Sequence, residues 1–395
     1  MLILVGGGVT AAVLIKNSNG GERAVVQEPE EPDAVVVVPK SEPEVVRYGD
    51  LAVLDACTVM PATMIEELGF RSAAHGWRNQ TYVPRSVEAT VADQIGDPIS
   101  SCLYEPSGGE EITRFTLTVW QTPFNDLGRV DRVSEDEIPL QVAGVKAYLT
   151  PGDKPDAFSA RIVSGDSKTE AFLSARTMAD NKEITDYRAT FVKLVESVST
   201  NIVKGPQGRT TNVHTGRYEG VPNVCDVFSA ELFEELTGSR DSGVVEGDFH
   251  EQESFGKFVT DKQETRYFYS NKQDCRRLSP EWSNAAQRSG GKALKIELKT
   301  YRNAEMAVKD AHDCDPHSPA RAVTGEAFLT EERIGDFATC SFLLGKSPTM
   351  SFVAGRTQVQ LTGDGDWAPD DPRKYNEVFT PLAKRVVDEV RKAIG

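Results

Sequence analysis

The sequence predicts an α+β fold in which two tandem copies of one unit each pack helices on a face of an antiparallel sheet. Three observations predict it. The stretches that begin at Cys57 and Cys225 share the order of a cysteine, a short amphipathic helix and a glycine stop. Strands with alternating polar and apolar residues follow in both halves of the chain. A helix with a single apolar stripe then ends each half.

The two opening helices have recognisable starts and stops. In the second copy Ser229 is an N-cap candidate and Gly238 is placed as a left-handed stop. In the first copy Pro61 suits the start of a helix, and Gly69 follows its last residue. Each helix also carries two consecutive glutamates, whose side chains point about 100° apart. These pairs therefore predict a solvated helix face and not two converging catalytic carboxylates.

The strands and closing helices also occur twice. Alternation predicts strands over residues 114–120 and 293–299. Three further pairs of segments align at a constant spacing: 147–150 with 327–330, 159–163 with 339–343, and 171–176 with 351–356. We expect each copy to form a three-stranded antiparallel meander from these segments. Apolar residues three and four apart predict closing helices that begin at Tyr187 and Tyr375.

The N-terminal region differs in composition from the rest of the chain. Residues 2–15, with Leu2 at the start and Ile15 at the end, form an apolar run that Lys16 follows. We expect this run to be an uncleaved membrane anchor. The alternative is a cleaved signal segment, because the run is shorter than the span of about 20 residues that a bilayer needs. Residues 17–48 are acidic and Pro-rich and predict an extended tether, in which residues 35–38 are able to add an edge strand or contact a partner.

A second boundary is expected where glycine and proline cluster after the first closing helix. The predicted organisation is an anchor or signal at 1–16, a linker at 17–48, a first repeat at 49–204, an interdomain linker at 205–216 and a second repeat at 217–395.

The charge balance excludes some partners. The chain has 44 Lys and Arg against 60 Asp and Glu, for a net charge of −16. A surface of that charge repels phosphate groups, so neither nucleic acid nor an anionic lipid surface is expected as a main partner.

The six cysteines are even in number and form no Cys-x-x-Cys motif. Pairing in chain order gives three local disulfides: Cys57 with Cys102, Cys225 with Cys275, and Cys314 with Cys340. The third pair has no counterpart in the first copy and is interpreted as an added bridge. Such bonds contribute about 2–4 kcal/mol each and indicate an oxidising compartment.

Two clusters contain side chains of the types that bind metals. His312 and His317 flank Cys314 in a short loop, but the expected disulfide of Cys314 argues against a transition-metal site there. An acidic turn offers four possible calcium ligands: Asp364, Asp366, Asp370 and Asp371. Its spacing does not match a helix–loop–helix calcium site, so a solvated turn is favoured. We expect no catalytic set and no cofactor.

The two openings, each with a second cysteine before the strands (Cys102 and Cys275), resemble a large actinobacterial group of cell-envelope lipoproteins. They are also similar to the LpqN-like lipoproteins, whose fold is like that of the photosystem subunit PsbP. The resemblance covers both units and implies a PsbP-like sheet with helices packed on it. It also implies a binding or accessory role in the envelope, in some members near mycolate lipid transport. Three departures are the missing lipobox cysteine, two units in place of one, and no Ser/Thr-Pro helix start in the first copy.

The expected function is therefore that of a non-enzymatic accessory protein anchored in the cell membrane, with most of the chain on the extracytoplasmic side. Its tandem domains are expected to bind an envelope membrane protein complex, or a lipid or glycolipid. The alternative is a metal-dependent envelope hydrolase that uses the loop from His312 to His317. The ligand and the oligomeric state stay open.

Overall fold

A computed structural model describes most of the chain. The described residues are 30–33, 35–69, 76–82, 99–106, 113–121, 134–152, 157–165, 168–177, 187–259, 265–283, 291–311, 314, 328–330, 333–344, 347–365 and 371–394. The apolar run of residues 2–15 lies outside them. Within the described residues, no helix combines the length and the apolar character that a membrane span requires.

The described parts of the N-terminal segment and the first repeat contain ten strands and three helices. They are β1 (Val37–Glu42), β2 (Arg47–Tyr48), β3 (Leu51–Ala52), α1 (Ala56–Val59), α2 (Ala62–Glu67), β4 (Gly76–Tyr82), β5 (Ile99–Pro106), β6 (Thr113–Gln121), β7 (Ile138–Leu140), β8 (Lys146–Pro151), β9 (Ala157–Ser164), β10 (Thr169–Thr177) and α3 (Tyr187–Lys204).

The linker and the second repeat contain the remaining described elements. They are β11 (Arg209–His214), a 3-10 turn (Gly216–Tyr218), α4 (Val224–Val227), α5 (Ala230–Thr237), β12 (Val245–His250), β13 (Ser254–Val259), β14 (Thr265–Leu278), α6 (Pro280–Ser283), β15 (Ala293–Tyr301), α7 (Ala304–Asp310), β16 (Phe328–Leu329), β17 (Cys340–Leu344), β18 (Ser347–Ala354), β19 (Thr357–Asp364) and α8 (Pro372–Ile394).

The two repeats share one antiparallel sheet of 15 strands. Its order is β16-β17-β18-β19-β15-β14-β12-β4-β5-β6-β10-β9-β8-β7, and β13 pairs with the outer part of β14. The repeats meet where β12 pairs with β4. Counted outward from that junction, seven strands of each half correspond one to one, and β13 is an extra strand of the second half among the described residues. The predicted mixture of helices with a mostly antiparallel sheet is confirmed, and so are the two meanders predicted from the aligned segments (β8-β9-β10 and β16-β17-β18).

The register places the helices of both repeats on the same face of the sheet. Position 80 of β4 lies opposite Cys102 on one side and opposite Gly247 on the other, and Gly247 lies opposite Cys275. Residues directly opposite each other across a sheet share a face. We call this the helix face, and the other side the open face.

The three disulfides pair as the chain order predicts: Cys57–Cys102, Cys225–Cys275 and Cys314–Cys340. The first bond joins α1 to β5 and the second joins α4 to β14, and in each repeat this strand is the second from the junction. Next to each bond, one backbone hydrogen bond is also repeated. The N–H of Ala56 donates to Ser100 Oγ and that of Val224 to Gln273 Oε1, both at 2.9 Å. The duplication therefore extends to the contacts that attach the opening helix.

Each repeat has its own apolar core on the helix face. In the first repeat, Phe191, Leu194 and Val198 of α3 pack on the strands with the opening helices. In the second, α8 does the same through Tyr375 and Phe379, among others. Tyr375 also closes the end of β19, since its hydroxyl accepts a hydrogen bond from the Gly363 N–H and donates to the Leu361 carbonyl.

Helix α7 is a difference from the expected layering, because it packs on the open face of the second repeat. There Ala307 and Ala311 contact Phe268 and Tyr301. The Cys314–Cys340 bond lies on the same side, since Cys340 is opposite Ser351, which is two positions from Val353 of the same cluster. Helix α7 and Cys314 therefore cover this end of the open face.

The constant-spacing alignment of the strands is wrong by one strand for the meanders. Residues 171–176 lie in β10, which pairs with β6, whereas residues 351–354 lie in β18, which does not pair with β15. The partner of β15 is β19. The segment that holds α7 lengthens the second repeat, so a fixed spacing shifts the match. Short alternating apolar patterns do not distinguish neighbouring strands of one meander.

Both predicted linkers are partly folded, and they pair with each other. Val37–Glu42, expected to lie in the tether, and Arg209–His214, expected to lie in the interdomain linker, form a two-stranded antiparallel ribbon. The edge strand considered for residues 35–38 is present, and the folded part begins before residue 49. Gly208 permits the pairing, because a side chain there would meet the Glu42 carbonyl oxygen at 2.1 Å and its φ is +109°.

The duplicated helix start supports a stability prediction. Asp55 caps α1 by accepting from the N–H groups of Cys57 and Thr58, and its second oxygen accepts from the N–H of Thr210 in the ribbon. Asn223 caps α4 through the Cys225 N–H. We expect Asp55→Ala to lower the free energy of unfolding by about 2–4 kcal/mol and Asn223→Ala by about 1 kcal/mol, measured by urea denaturation. Equal losses would contradict the role given to the ribbon contact.

Candidate functional site

Charged side chains concentrate on the open face of β12, β14 and β15, beside the junction of the repeats. They form three cross-strand rows. The middle row, which we call the carboxylate row, is Asp248, Asp274 and Glu297. The flanking rows contain Glu246, Arg276 and Lys295 on one side, and His250, Lys272 and Lys299 on the other.

Most charges around the carboxylate row are paired. Lys272 Nζ lies 2.9 Å from Glu297 Oε2, and Lys295 Nζ lies 3.8 Å from the same oxygen. Arg276 bridges Glu246 at 3.3 Å and Asp364 at 3.2 Å. Among the described residues, Asp248 and Asp274 make no ion pair. Oδ1 of Asp248 is buried and has no hydrogen-bond partner within that part of the chain.

Burial and mutual repulsion determine the protonation of these two carboxyls. Burial raises the pKa of Asp248 to about 8, and the neighbouring charge of Asp274 adds to the shift. Burial also raises the pKa of Asp274, to about 6. The pKa of His250 is lowered to about 4, first by burial and then by Lys272. Asp248 therefore keeps its proton near neutral pH, and its titration is coupled to that of Asp274.

A carboxyl that keeps a proton at neutral pH is able to donate a hydrogen bond or release a proton when a ligand binds. The carboxylate row is therefore a candidate proton-linked site, placed at the centre of the sheet that both repeats share.

We predict a specific pH dependence from Asp248. Its pKa in the folded protein is above its unfolded value, so folding takes up a proton, and stability is lost as pH rises through about 8. His250 acts in the opposite sense, but only below its unfolded pKa of 6.5. From pH 6.5 to 8.0 the free energy of unfolding should fall, by at most about 2 kcal/mol for one proton.

Chemical denaturation across this pH range measures the effect. Asp248→Asn should remove most of the decline. Asp388→Asn, at an exposed position of α8, should retain it. A decline that persists in Asp248→Asn would show that other groups titrate there.

A second polar cluster attaches the N-terminal segment to the second repeat. This cluster, which we call the clamp, consists of Glu253, Arg302 and Tyr218. The Glu253 side chain is fully buried, and its carboxylate accepts from Arg302 Nε at 2.7 Å and from the Tyr218 hydroxyl at 2.7 Å. It also accepts from the backbone N–H of Asp33 at 2.9 Å. One buried carboxylate thus joins three separate parts of the chain.

Further contacts extend the clamp toward the N-terminus. The Arg302 guanidinium stacks on the Tyr269 ring at 3.8 Å and pairs with Glu30. The Tyr269 hydroxyl donates to the Glu30 carbonyl at 2.7 Å. The backbone continues the attachment, because the Val36 N–H donates to the Glu251 carbonyl and that of Glu253 to the Asp33 carbonyl. Val36 and Val37 are buried against Tyr218.

The clamp keeps its charges at neutral pH. Burial alone would raise the pKa of Glu253, but the hydrogen bonds from Arg302, Tyr218 and the Asp33 N–H outweigh burial and lower it. The pKa of Tyr218 is raised, first by burial and then by its bond to Glu253. An ionised, fully partnered carboxylate makes the clamp a structural attachment.

Removal of the clamp charge should release the N-terminal segment. We expect Glu253→Gln to destabilise the protein by about 3 kcal/mol, because Arg302 then lacks its buried partner. Limited proteolysis should cut residues 30–48 faster. Glu137→Gln is the matched control, since Glu137 makes a similar bidentate pair with Arg161 in the first repeat, with both bonds at 2.8 Å. Equal cleavage of the segment in both variants would contradict the clamp.

Most of the metal ligands considered from the sequence lie outside the described residues: His312, His317, Asp366 and Asp370. Cys314 is bonded to Cys340, and Asp371 immediately precedes α8. Asp364 is engaged by Arg276 and by the Ser347 hydroxyl. No group of three or more potential ligands lies within metal-binding distance among the described residues.

Sequence reasoning missed both clusters. For the carboxylate row a signal existed. In residues 272–276 the charged positions alternate with Gln273 and Cys275. The expected disulfide of Cys275 places that residue on the helix face, so alternation along the strand places the charged side chains on the open face. For the clamp no local signal existed, because Asp33 and Glu253 are 220 positions apart. Comparisons of the chain with protein-family models, curated proteins and solved structures found no match.

Proposed function

We propose that the chain is a non-enzymatic accessory protein, anchored in the membrane of an actinobacterial cell envelope by residues 2–15. Its two repeats form one extracytoplasmic platform that binds a membrane protein complex, or an envelope lipid or glycolipid. The finer fold class within this proposal is the PsbP-like one. A sheet with its main helices on one face, and a disulfide-bonded opening helix, support that class.

The clamp is the observation that carries the proposal. It fixes the chain at Glu30–Asp33 to the second repeat through a buried ion pair and backbone hydrogen bonds. Fourteen residues, 16–29, separate the apolar run from that attachment, and a chain of that length spans at most about 50 Å. An anchor in residues 2–15 would therefore hold the second repeat close to the membrane.

Two further observations support the compartment and the platform. All six cysteines are paired, which suits an oxidising environment outside the cytoplasm. The repeats share a single sheet, so a partner would meet one rigid surface and not two independently moving domains.

Fractionation of the full-length chain tests the proposal. We expect it to remain with alkali-washed membranes, and Val9→Arg to release it by placing a charge within the apolar run. Val26→Arg, a substitution outside that run, should stay with the membranes. Intact mass should rise by the hydrogens of three reduced disulfides when reductant is added.

The binding role has a separate readout. Native mass spectrometry of the membrane-extracted protein should show a stoichiometric lipid or a defined protein partner. Recovery from the cytosolic fraction with free thiols would contradict the compartment, and a ligand-free, partner-free chain would contradict the binding role.

A further inference from the structure

The end of the second repeat where the N-terminal segment attaches carries exposed apolar side chains. Phe255 of β13 is 43% exposed, and Val35 of the N-terminal segment is 38% exposed. Phe255 stacks on Tyr267 with ring centroids 5.4 Å apart, and Tyr267 is partly exposed. We call these three residues the apolar rim.

The backbone brings the members of the rim to the same place. Val35 lies between Asp33, which is hydrogen-bonded to Glu253, and Val36, which is hydrogen-bonded to Glu251. Phe255 follows Glu253 by two residues, and its ring contacts that of Tyr269, with the ring centroids 5.3 Å apart. The hydroxyl of the same Tyr269 holds the Glu30 carbonyl, where the described chain begins. The rim therefore lies near Glu30, the first residue of the described chain.

We propose that the apolar rim of Val35, Phe255 and Tyr267 rests in the lipid–water interface of the membrane that holds the anchor. This inference depends on the anchoring proposed above. Aromatic side chains favour that interface, because the ring enters the acyl boundary while a hydroxyl stays hydrated. Only 14 residues, 16–29, separate the apolar run from Glu30, so at most about 50 Å of chain joins this end of the body to the proposed anchor.

The charges at the rim favour uncharged headgroups. The Arg217 guanidinium lies 3.6 Å from the Glu30 carboxylate and 3.5 Å from that of Asp33. The buried Glu253 forms an ion pair with Arg302. Glu31 is a further exposed acid. Acids are in excess over the whole chain, so an anionic surface would repel it. We therefore expect the contact in zwitterionic bilayers, where apolar burial acts without that repulsion.

Quenching by brominated lipid tests the contact. The full-length chain is reconstituted in phosphatidylcholine vesicles, with or without bromine on the acyl chains, as the parent and as Phe255→Trp. The four native tryptophans also emit in every sample, and the emission of the parent protein measures this background. The matched control is Phe172→Trp, because Phe172 is 41% exposed but lies on β10 in the first repeat.

We expect brominated lipid to remove most of the emission that Phe255→Trp adds, and none of the emission that Phe172→Trp adds. Vesicle flotation of each sample reports anchoring separately. If the chain floats and the tryptophan at position 255 is not quenched, the rim proposal is wrong while anchoring stands. If the chain does not float, anchoring itself is wrong and the rim inference is lost with it. Equal quenching at both positions would also overturn the specific contact.

Discussion

The buried carboxylate of Glu253 is the constraint on which the arrangement of the chain depends. A charge removed from water is tolerated only when hydrogen bonds and an opposite charge surround it. Glu253 obtains these from Arg302 at the end of β15, from Tyr218 after the ribbon, and from the backbone of Asp33. Because each partner comes from a different part of the chain, the N-terminal segment, the ribbon and the second repeat are held together as one unit.

The duplication explains why the two halves form a single sheet. Each repeat joins its opening helix to the second strand from the junction by a disulfide and leaves its innermost strand, β4 or β12, free to pair with the other copy. Gly247 shows how closely this part of β12 is packed, since a side chain there would meet the Phe249 ring at 2.9 Å and the Cys225 sulfur at 3.3 Å. Asp248 of the carboxylate row is the residue after Gly247 in β12, and its side chain lies on the open face.

Local patterns in the sequence predicted much of the fold. The cysteine order predicted three disulfides, and the strand and helix periodicities predicted β6, β15 and the closing helices, because these features depend on residues near one another in the chain. Glycine stops at Gly69 and Gly238 have the expected positive φ. The expected helix starts at Pro61 and Ser229 are the N-caps of α2 and α5. A further short helix, α1 or α4, precedes each of them and was not predicted.

The parts that could not be predicted depend on long-range contacts. Residues 30–48 have the composition of a tether, yet they fold because Glu253 and Arg302 bind them from more than 200 positions away. The Gly- and Pro-rich linker pairs as β11 because its partner strand is that same segment. Raised pKa values at Asp248 and Asp274 likewise require knowledge of which strands are neighbours.

The N-terminal segment from residue 36 is part of the folded body and not a free tether. Amide hydrogen exchange on the native full-length chain measures this attachment, with peptides covering residues 36–42 and β11. We expect residues 36–42 to be protected to a similar degree as β11, since the two strands exchange backbone hydrogen bonds. Free exchange of residues 36–42, while the second repeat remains protected, would contradict it.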